Sequence, residues 1–248
     1  MKIADSSSRK SAIIVGVLFI VGDIAGVLSL LIAGPILGNS DYLIRVSASG
    51  NQIIIGALLV LTMGFALAMI PVVMYSILKR HSKVLALGYL VFRGALETVT
   101  YIALAISWLL LLTVSREYVS AGVSSASYFQ ALGTLLQKAA DWDNQIVSIV
   151  FSLGALMLYF ALYQSKLIPR WLSIWGLAGA ILYFAAPLSS MFGSGQELLM
   201  APLGVQEIVF AMWLIVKGFN SSAAIGEPEE PFDGEIRETI QREVVSRS

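Results

Sequence analysis

The chain has 248 residues, 57% hydrophobic and only 13% charged, where soluble domains carry about 25% charged residues, so its composition is that of a membrane protein. Sixteen basic and 16 acidic residues cancel to a formal net charge of zero, which leaves no basic field for nucleic acid. Cysteine is absent and histidine occurs once, excluding disulfides, thiolate nucleophiles, iron–sulfur clusters, bis-histidine haem and cysteine-containing zinc sites.

Crossing the hydrocarbon core takes about 20 apolar residues. The first such run, Ser11–Ala33, carries Asp23. It exceeds the roughly 7–15-residue apolar core of a signal peptide and lacks a clear small-residue cleavage site, so it is expected to remain as a membrane helix. Ile53–Leu78 is the second span, with Pro71 inside it leaving the Leu67 carbonyl without a helical donor. Val84–Val114 is the third, with Arg93 and Glu97 one helical turn apart near its centre. The connection from Ser115 to Gln145 is too long for a turn. Within it Tyr128, Phe129, Leu132, Leu135, Leu136 and Ala139 recur at helical spacing. This pattern fits an amphipathic helix on the outer surface and equally an outward extension of the next span.

Ile146–Gln164 and Trp171–Phe192 are the fourth and fifth spans, the latter containing Pro187. Pro202–Val216 is short for a sixth and is predicted to reach back toward Leu198. After Phe219 the chain turns polar, with the run Glu227-Pro228-Glu229-Glu230-Pro231 marking a disordered tail in which Ile236, Ile240 and Val244 would suit a short helix. The expected organisation is an all-α polytopic bundle of six transmembrane helices with an amphipathic helix in its outer loop, over residues 1–219, and a polar tail over 220–248.

Basic residues orient the bundle. Lys2, Arg9 and Lys10 precede the first span, Lys79, Arg80 and Lys83 follow the second, Lys166 and Arg170 follow the fourth, and Lys217 follows the sixth. The opposite side holds only Arg45, Arg116 and Lys138. The positive-inside rule then puts both termini in the cytoplasm of a cell (plasma) membrane protein, with Trp171, Trp175 and Trp213 at the inner interface and Trp108 and Trp142 at the outer one.

A charged side chain at mid-membrane costs about 2.5 to 3.5 kcal/mol on insertion scales, so the charges inside spans demand an explanation. At 1.5 Å per residue Asp23 lies about 18 Å into the first span, Arg93 and Glu97 about 14 and 20 Å into the third, and Glu207 about 15 Å from Lys217. These four form a candidate intramembrane polar cluster in one broad layer. Thr100, Tyr101 and Ser107 continue the Arg93–Glu97 face, and Gln145, Ser148, Ser152, Tyr159 and Tyr163 make a stripe on the fourth span. The two stripes predict a shared polar seam, of which Thr100, Tyr101, Ser148, Ser152 and Tyr159 are the core. Three acids with one base leave the layer negative unless some acids hold protons, a cation enters or water solvates them. A proton-linked transporter uses such groups. The competing reading is structural, with Arg93 and Glu97 an intrahelical pair and the other acids protonated and hydrogen-bonded.

Three blocks carry a family resemblance: Phe92-Arg93 with Glu97; Leu167-Ile168-Pro169-Arg170-Trp171-Leu172-Ser173-Ile174-Trp175-Gly176; and Pro202 through Glu207 to Trp213-Leu214-Ile215-Val216-Lys217-Gly218-Phe219. From about Arg9 to Phe219 the chain resembles a bacterial and archaeal family of multi-span membrane proteins known as a domain of unknown function. The resemblance implies a membrane bundle and brings no established activity with it. Asp23 lies outside these blocks.

For catalysis the parts are missing. His81 falls in a cytoplasmic turn, away from any intramembrane serine. Asp23 is the only aspartate well inside a span, where an aspartyl protease needs two. No lysine lies mid-span for a retinal Schiff base. No catalytic residue, metal ligand or cofactor is therefore nominated. The favoured function is a proton- or cation-linked transporter-like protein for a small solute or lipid; the alternative is a non-transporting structural, sensor or partner subunit. Expected partners are the lipid bilayer, a small solute or lipid ligand, and a cytoplasmic protein met through the tail.

Overall fold

The computed structural model describes residues 2–121, 126–220 and 223. Its order is α1 (Lys2–Leu37), α2 (Tyr42–Ala48), α3 (Gly50–Leu78), α4 (Lys83–Tyr89), a π-helical segment (Leu90–Leu96), α5 (Glu97–Ala121), α6 (Ala126–Ser165), α7 (Arg170–Met191), a 3₁₀ turn (Glu197–Met200) and α8 (Ala201–Val216). Among the described residues six stretches are long and apolar enough to cross a membrane: Ser8–Leu37, Gly50–Leu78, Lys83–Ala121, Ala126–Ser165, Arg170–Met191 and Leu198–Val216. The protein is an all-α, six-span membrane bundle. Its outward faces carry large aliphatic side chains such as Leu30, Leu31 and Val99, as lipid contact requires. The expected tail lies, apart from Asn220 and Ala223, outside the described residues.

Helix ends follow local chemistry. Ser82 caps α4 by accepting the Leu85 N–H at 3.3 Å. Pro169, with φ preset at −55°, precedes the first residue of α7. Gly218 ends α8 in the left-handed region at φ +77°, and its N–H returns to the Trp213 carbonyl at 3.1 Å. The last carbonyls of α8, on Leu214, Ile215 and Val216, accept hydrogen bonds from the Arg9 guanidinium of α1 at 3.1, 2.6 and 3.2 Å. This cap brings the start of the first span against the end of the last, so both ends of the bundle are on one side. Trp171 and Trp175 stack at that end, and Trp213 meets Trp171 edge-on.

The structure decides what the sequence left open and adds elements it did not show. The amphipathic stretch of the outer connection is helical, and it is continuous with the fourth span as the 40-residue α6. A helix of that length is about 60 Å long, twice the hydrocarbon thickness, so α6 projects well beyond the bilayer, beside a third span, Lys83–Ala121, that is 39 residues long in all. The short helix α2, absent from the expectation, packs Leu43 and Val46 against Leu111 and Leu112 in this outer layer. Gln137 of α6 donates to the Leu37 carbonyl at 3.0 Å and so closes the end of α1. The sixth span begins where the 3₁₀ turn hands over to α8, matching the predicted reach back toward Leu198. The main core lies toward the other end, around the fully buried Phe19, Ile70, Met74, Tyr89, Tyr159 and Phe210.

Candidate functional site

The third span changes its winding where its charges sit. Between α4 and α5, residues Leu90–Leu96 form a π-helical segment, and the Glu97 N–H bonds to the Phe92 carbonyl, five residues back. Such segments are rare and concentrate at functional sites. Two glycines fit it against its neighbours. A Cβ on Gly154 of α6 would lie 3.3 Å from the Arg93 backbone nitrogen, and one on Gly94 would lie 3.3 Å from the Pro71 ring of α3. Only helices this close together can enclose an arginine so completely.

Arg93 is 3% exposed and Glu97 not at all. Nη1 of Arg93 donates to both Glu97 oxygens, at 3.0 and 3.2 Å. Its Nη2 donates to Glu207 Oε1 of α8 at 3.3 Å. The guanidinium carbon lies 4.5 Å from the ring centre of Phe151 (α6) and 5.7 Å from that of Phe19 (α1). One cation therefore joins four spans, through two carboxylates and two aromatic faces. Tyr101, one turn beyond Glu97, donates its hydroxyl to Glu97 Oε1 at 2.9 Å. Glu97 thus accepts three hydrogen bonds and Glu207 one. The Glu207 side chain is 13% exposed. Buried charges persist only when paired and hydrogen-bonded, and Arg93 with Glu97 satisfies that condition within one helix.

Of the four predicted cluster residues, the fold joins three by direct hydrogen bonds and ion pairs. Asp23 lies one turn after Phe19 on α1, within electrostatic range of Arg93 and Glu207 but not bonded to either. It lines a groove with Ile20, Ile24, Val27, Leu28 and Ile208, and makes no hydrogen bond or salt bridge to any described residue. The predicted seam is also divided. Tyr101 belongs to the cluster. Thr100 donates to the Glu97 carbonyl at 2.7 Å, Ser148 to the Asn144 carbonyl at 2.8 Å and Ser152 to the Ser148 carbonyl at 2.6 Å. These hydroxyls donate to carbonyls of their own helices, and Ser148 alone also bonds across to Tyr183 of α7. Tyr159 is fully buried and its ring packs edge-on to Phe210. Gly176 of α7 makes room for that ring: a Cβ there would lie 2.4 Å from it.

The cluster has further members that sequence reasoning did not name. Tyr89 lies one turn before Arg93, and its buried hydroxyl has no hydrogen-bond partner among the described residues. Gln206 is fully buried and donates to the Leu172 carbonyl at 3.2 Å. Tyr183 packs edge-on against Phe151 at 4.8 Å. Tyr89 was findable, since residues four apart share a helical face, and Gln206 is a polar residue in an apolar run. Phe19 and Phe151 carried no signal, because a phenylalanine on a cation and one in a core look alike in sequence. Among the described residues no three His, Asp or Glu side chains converge as metal ligands. What the arrangement offers is a fixed cation, two carboxylates of unequal hydrogen bonding, and a shell of tyrosines able to donate or relay.

With that geometry in place, comparison with known proteins adds a family. The family model described as a domain of unknown function (DUF4386) matches residues 14–218. The match takes in most of the chain, and the chain belongs to this family. It includes Asp23, Arg93, Glu97 and Glu207 and ends before the tail. Neither the curated proteins nor the solved structures return a match.

Proposed function

We propose that this member of the DUF4386 family couples passage of a small solute or lipid to a proton or cation. Glu97, Glu207 and Asp23 act as the carriers, and Arg93 acts as their counter-ion or as the anchor for an anionic substrate group. The observation that supports this reading most is the sharing of one guanidinium between carboxylates on two spans, at a π-helical segment. Glu207 is held by a single 3.3 Å bond and is slightly exposed. It can exchange that bond for a proton or a substrate while Glu97 keeps Arg93 in place. Coupling of this kind needs two arrangements of one charge set.

The protein is further proposed to lie in the plasma membrane with both termini in the cytoplasm, and the acidic tail to be the contact for a cytoplasmic partner. Because the chain has no cysteine, a single thiol placed at Ser194 is expected to react with an impermeant reagent on intact cells, and one at Ser82 to stay unlabelled. The second reading, a non-transporting structural or sensor subunit, draws on the dense pairing of Arg93 with Glu97 and Phe151, which suits a fixed pin. Proteoliposomes separate the two. With a pH dye trapped inside and a pH gradient imposed, wild type is expected to move protons faster than Glu207→Gln and than empty vesicles. Equal rates in all three would put the structural reading ahead.

A further inference from the structure

A pocket of about 500 Å³ lies at the end of the bundle where Arg9 caps α8, between the turn from α6 to α7 and the chain leaving α8. Lys166, Arg170 and Lys217 line it beside Trp213 and Phe219, and among the described residues no acid does. The Asn220 N–H ties the two walls together by donating to the Leu167 carbonyl at 2.8 Å. Two stretches of the blocks that carry the family resemblance, 167–176 and 213–219, meet in these walls.

Lysines are common at helix ends because they neutralise the last carbonyls. Here that task is already taken at α8, where Arg9 holds the carbonyls of Leu214, Ile215 and Val216. The side chains of Lys166 and Lys217 make no hydrogen bond or ion pair with a described residue. Lys166 also stands at φ +56°, a left-handed conformation that side chains rarely adopt. The Arg170 guanidinium lies over the Tyr163 ring, 5.4 Å from its centre, and stacking leaves the edge donors of an arginine open. The first turn of α7 has no acid and no side-chain cap, so its dipole adds to the positive charge.

Three cations around one small pocket repel each other unless an anion sits among them. The surroundings say which kind of anion. Trp171, Trp175 and Trp213 gather at this end, and such aromatic belts mark headgroup depth. Ile174 and Val216, one turn from Trp171 and Trp213, are exposed and offer a surface to hydrocarbon chains. A soluble anion would use the cations alone; a phospholipid uses both surfaces. We infer that this pocket binds an anionic phospholipid, its phosphate held among Lys166, Arg170 and Lys217 and its acyl chains lying along α7 and α8. The site is separate from the Arg93 cluster and holds whether or not the protein transports anything.

The test is native mass spectrometry of the full-length chain in detergent, titrated with dioleoylphosphatidylglycerol or dioleoylphosphatidylcholine. Wild type is expected to bind the first about fivefold more tightly or better, the share of a single cation near lipid phosphate. That preference is expected to fall as ammonium acetate is raised. The double variant Arg170→Gln, Lys217→Gln is expected to bind both lipids equally. Lys79→Gln, which removes an exposed basic residue outside the pocket, is expected to keep the preference. Arg170 and Lys217 are exposed too, and a melting curve checks the fold of each variant. Equal binding of the two lipids by wild type, an undiminished preference in the double variant, or an equal loss in Lys79→Gln would overturn the inference. So would displacement of the lipid by inorganic phosphate at matched concentration, which would make the site one for a soluble anion. A preference that appears only after Glu227, Glu229 and Glu230 are changed to Gln would make the acidic tail the occupant and overturn it as well.

Discussion

Glu97 and Asp23 are both carboxylates placed well inside apolar spans, and they finish in opposite surroundings. Glu97 is completely buried and accepts hydrogen bonds from Arg93 and Tyr101. Asp23 sits in the wall of a groove of aliphatic side chains, makes no hydrogen bond or ion pair with a described residue, and interacts with Arg93 only at longer range. Axial depth is set by counting residues along a helix; company is set by which way the helix is turned and what packs beside it. The same chemical group is thereby densely hydrogen-bonded in one place and without a hydrogen bond in the other.

The sharpest way to break this contrast is to remove one group from each environment. Arg93→Ala leaves Glu97 buried without its base and is expected to cost about 3 to 5 kcal/mol, read as a large loss of folded yield and melting temperature in detergent. Asp23→Asn removes a group that makes no hydrogen bond or ion pair to a described residue and is expected to fall within about 0.5 kcal/mol of wild type, or to raise the melting temperature. Comparable losses in the two variants would erase the distinction.

Next in size is the packing that allows the buried side to exist. Gly176→Ala drives a methyl group to 2.4 Å from the Tyr159 ring, and overpacking of this kind costs about 1 to 3 kcal/mol. Gly195→Ala, with nothing within 4 Å of the new Cβ, is the control that is expected to melt like wild type.

Within the cluster the comparison can be made finer. Glu97→Gln disturbs three hydrogen bonds, each between a carboxylate and a donor, for which about 1.5 to 3 kcal/mol apiece is usual when a charge is involved. Glu207→Gln disturbs one, at 3.3 Å. The first variant is therefore expected to lose clearly more stability than the second in parallel melts. The reverse order would make Glu207 the anchor and Glu97 the exchangeable group.

The smallest effect belongs outside the membrane. At His81 burial pulls the imidazole below its ordinary value, a backbone hydrogen bond at Ala223 opposes this, and the Arg80 charge adds to it. As pH falls, the unfolded chain takes up the proton first, so the stability contributed by neutral His81 is full above about 6.5 and declines below it. His81→Gln is expected to make the melting temperature slightly less sensitive to pH between 7 and 5. The change is small because the ring is only partly buried.

Much of this was legible in the chain, for reasons that are local. Twenty apolar residues in a row define a span wherever they go, so the six runs and the all-α class followed from length and hydropathy. The Arg93–Glu97 pair followed from i, i+4 geometry, which is a property of one helix. Tyr101 on Glu97 is the same rule applied one turn later. Other features depended on neighbours. Glu207 reaches Arg93 only because α8 packs beside α1 with its polar face inward, and that same packing leaves Asp23 half-buried and short of a hydrogen bond to Arg93. The π-helical segment exists where Gly154 and Gly94 let α6 and α3 come within contact of the third span's backbone, and no residue pattern within Leu90–Leu96 announces it. Ser148 and Ser152 donate their hydroxyls to their own helix, which a shared stripe could not reveal. Hydropathy and helical rise thus determine how many spans there are and how deep each charge lies, because both are counted along a single chain. Rotation of each helix about its axis is decided by the small residues and side-chain shapes of the helices beside it, and that choice decides which of these acids bond to Arg93 and which only lie near it.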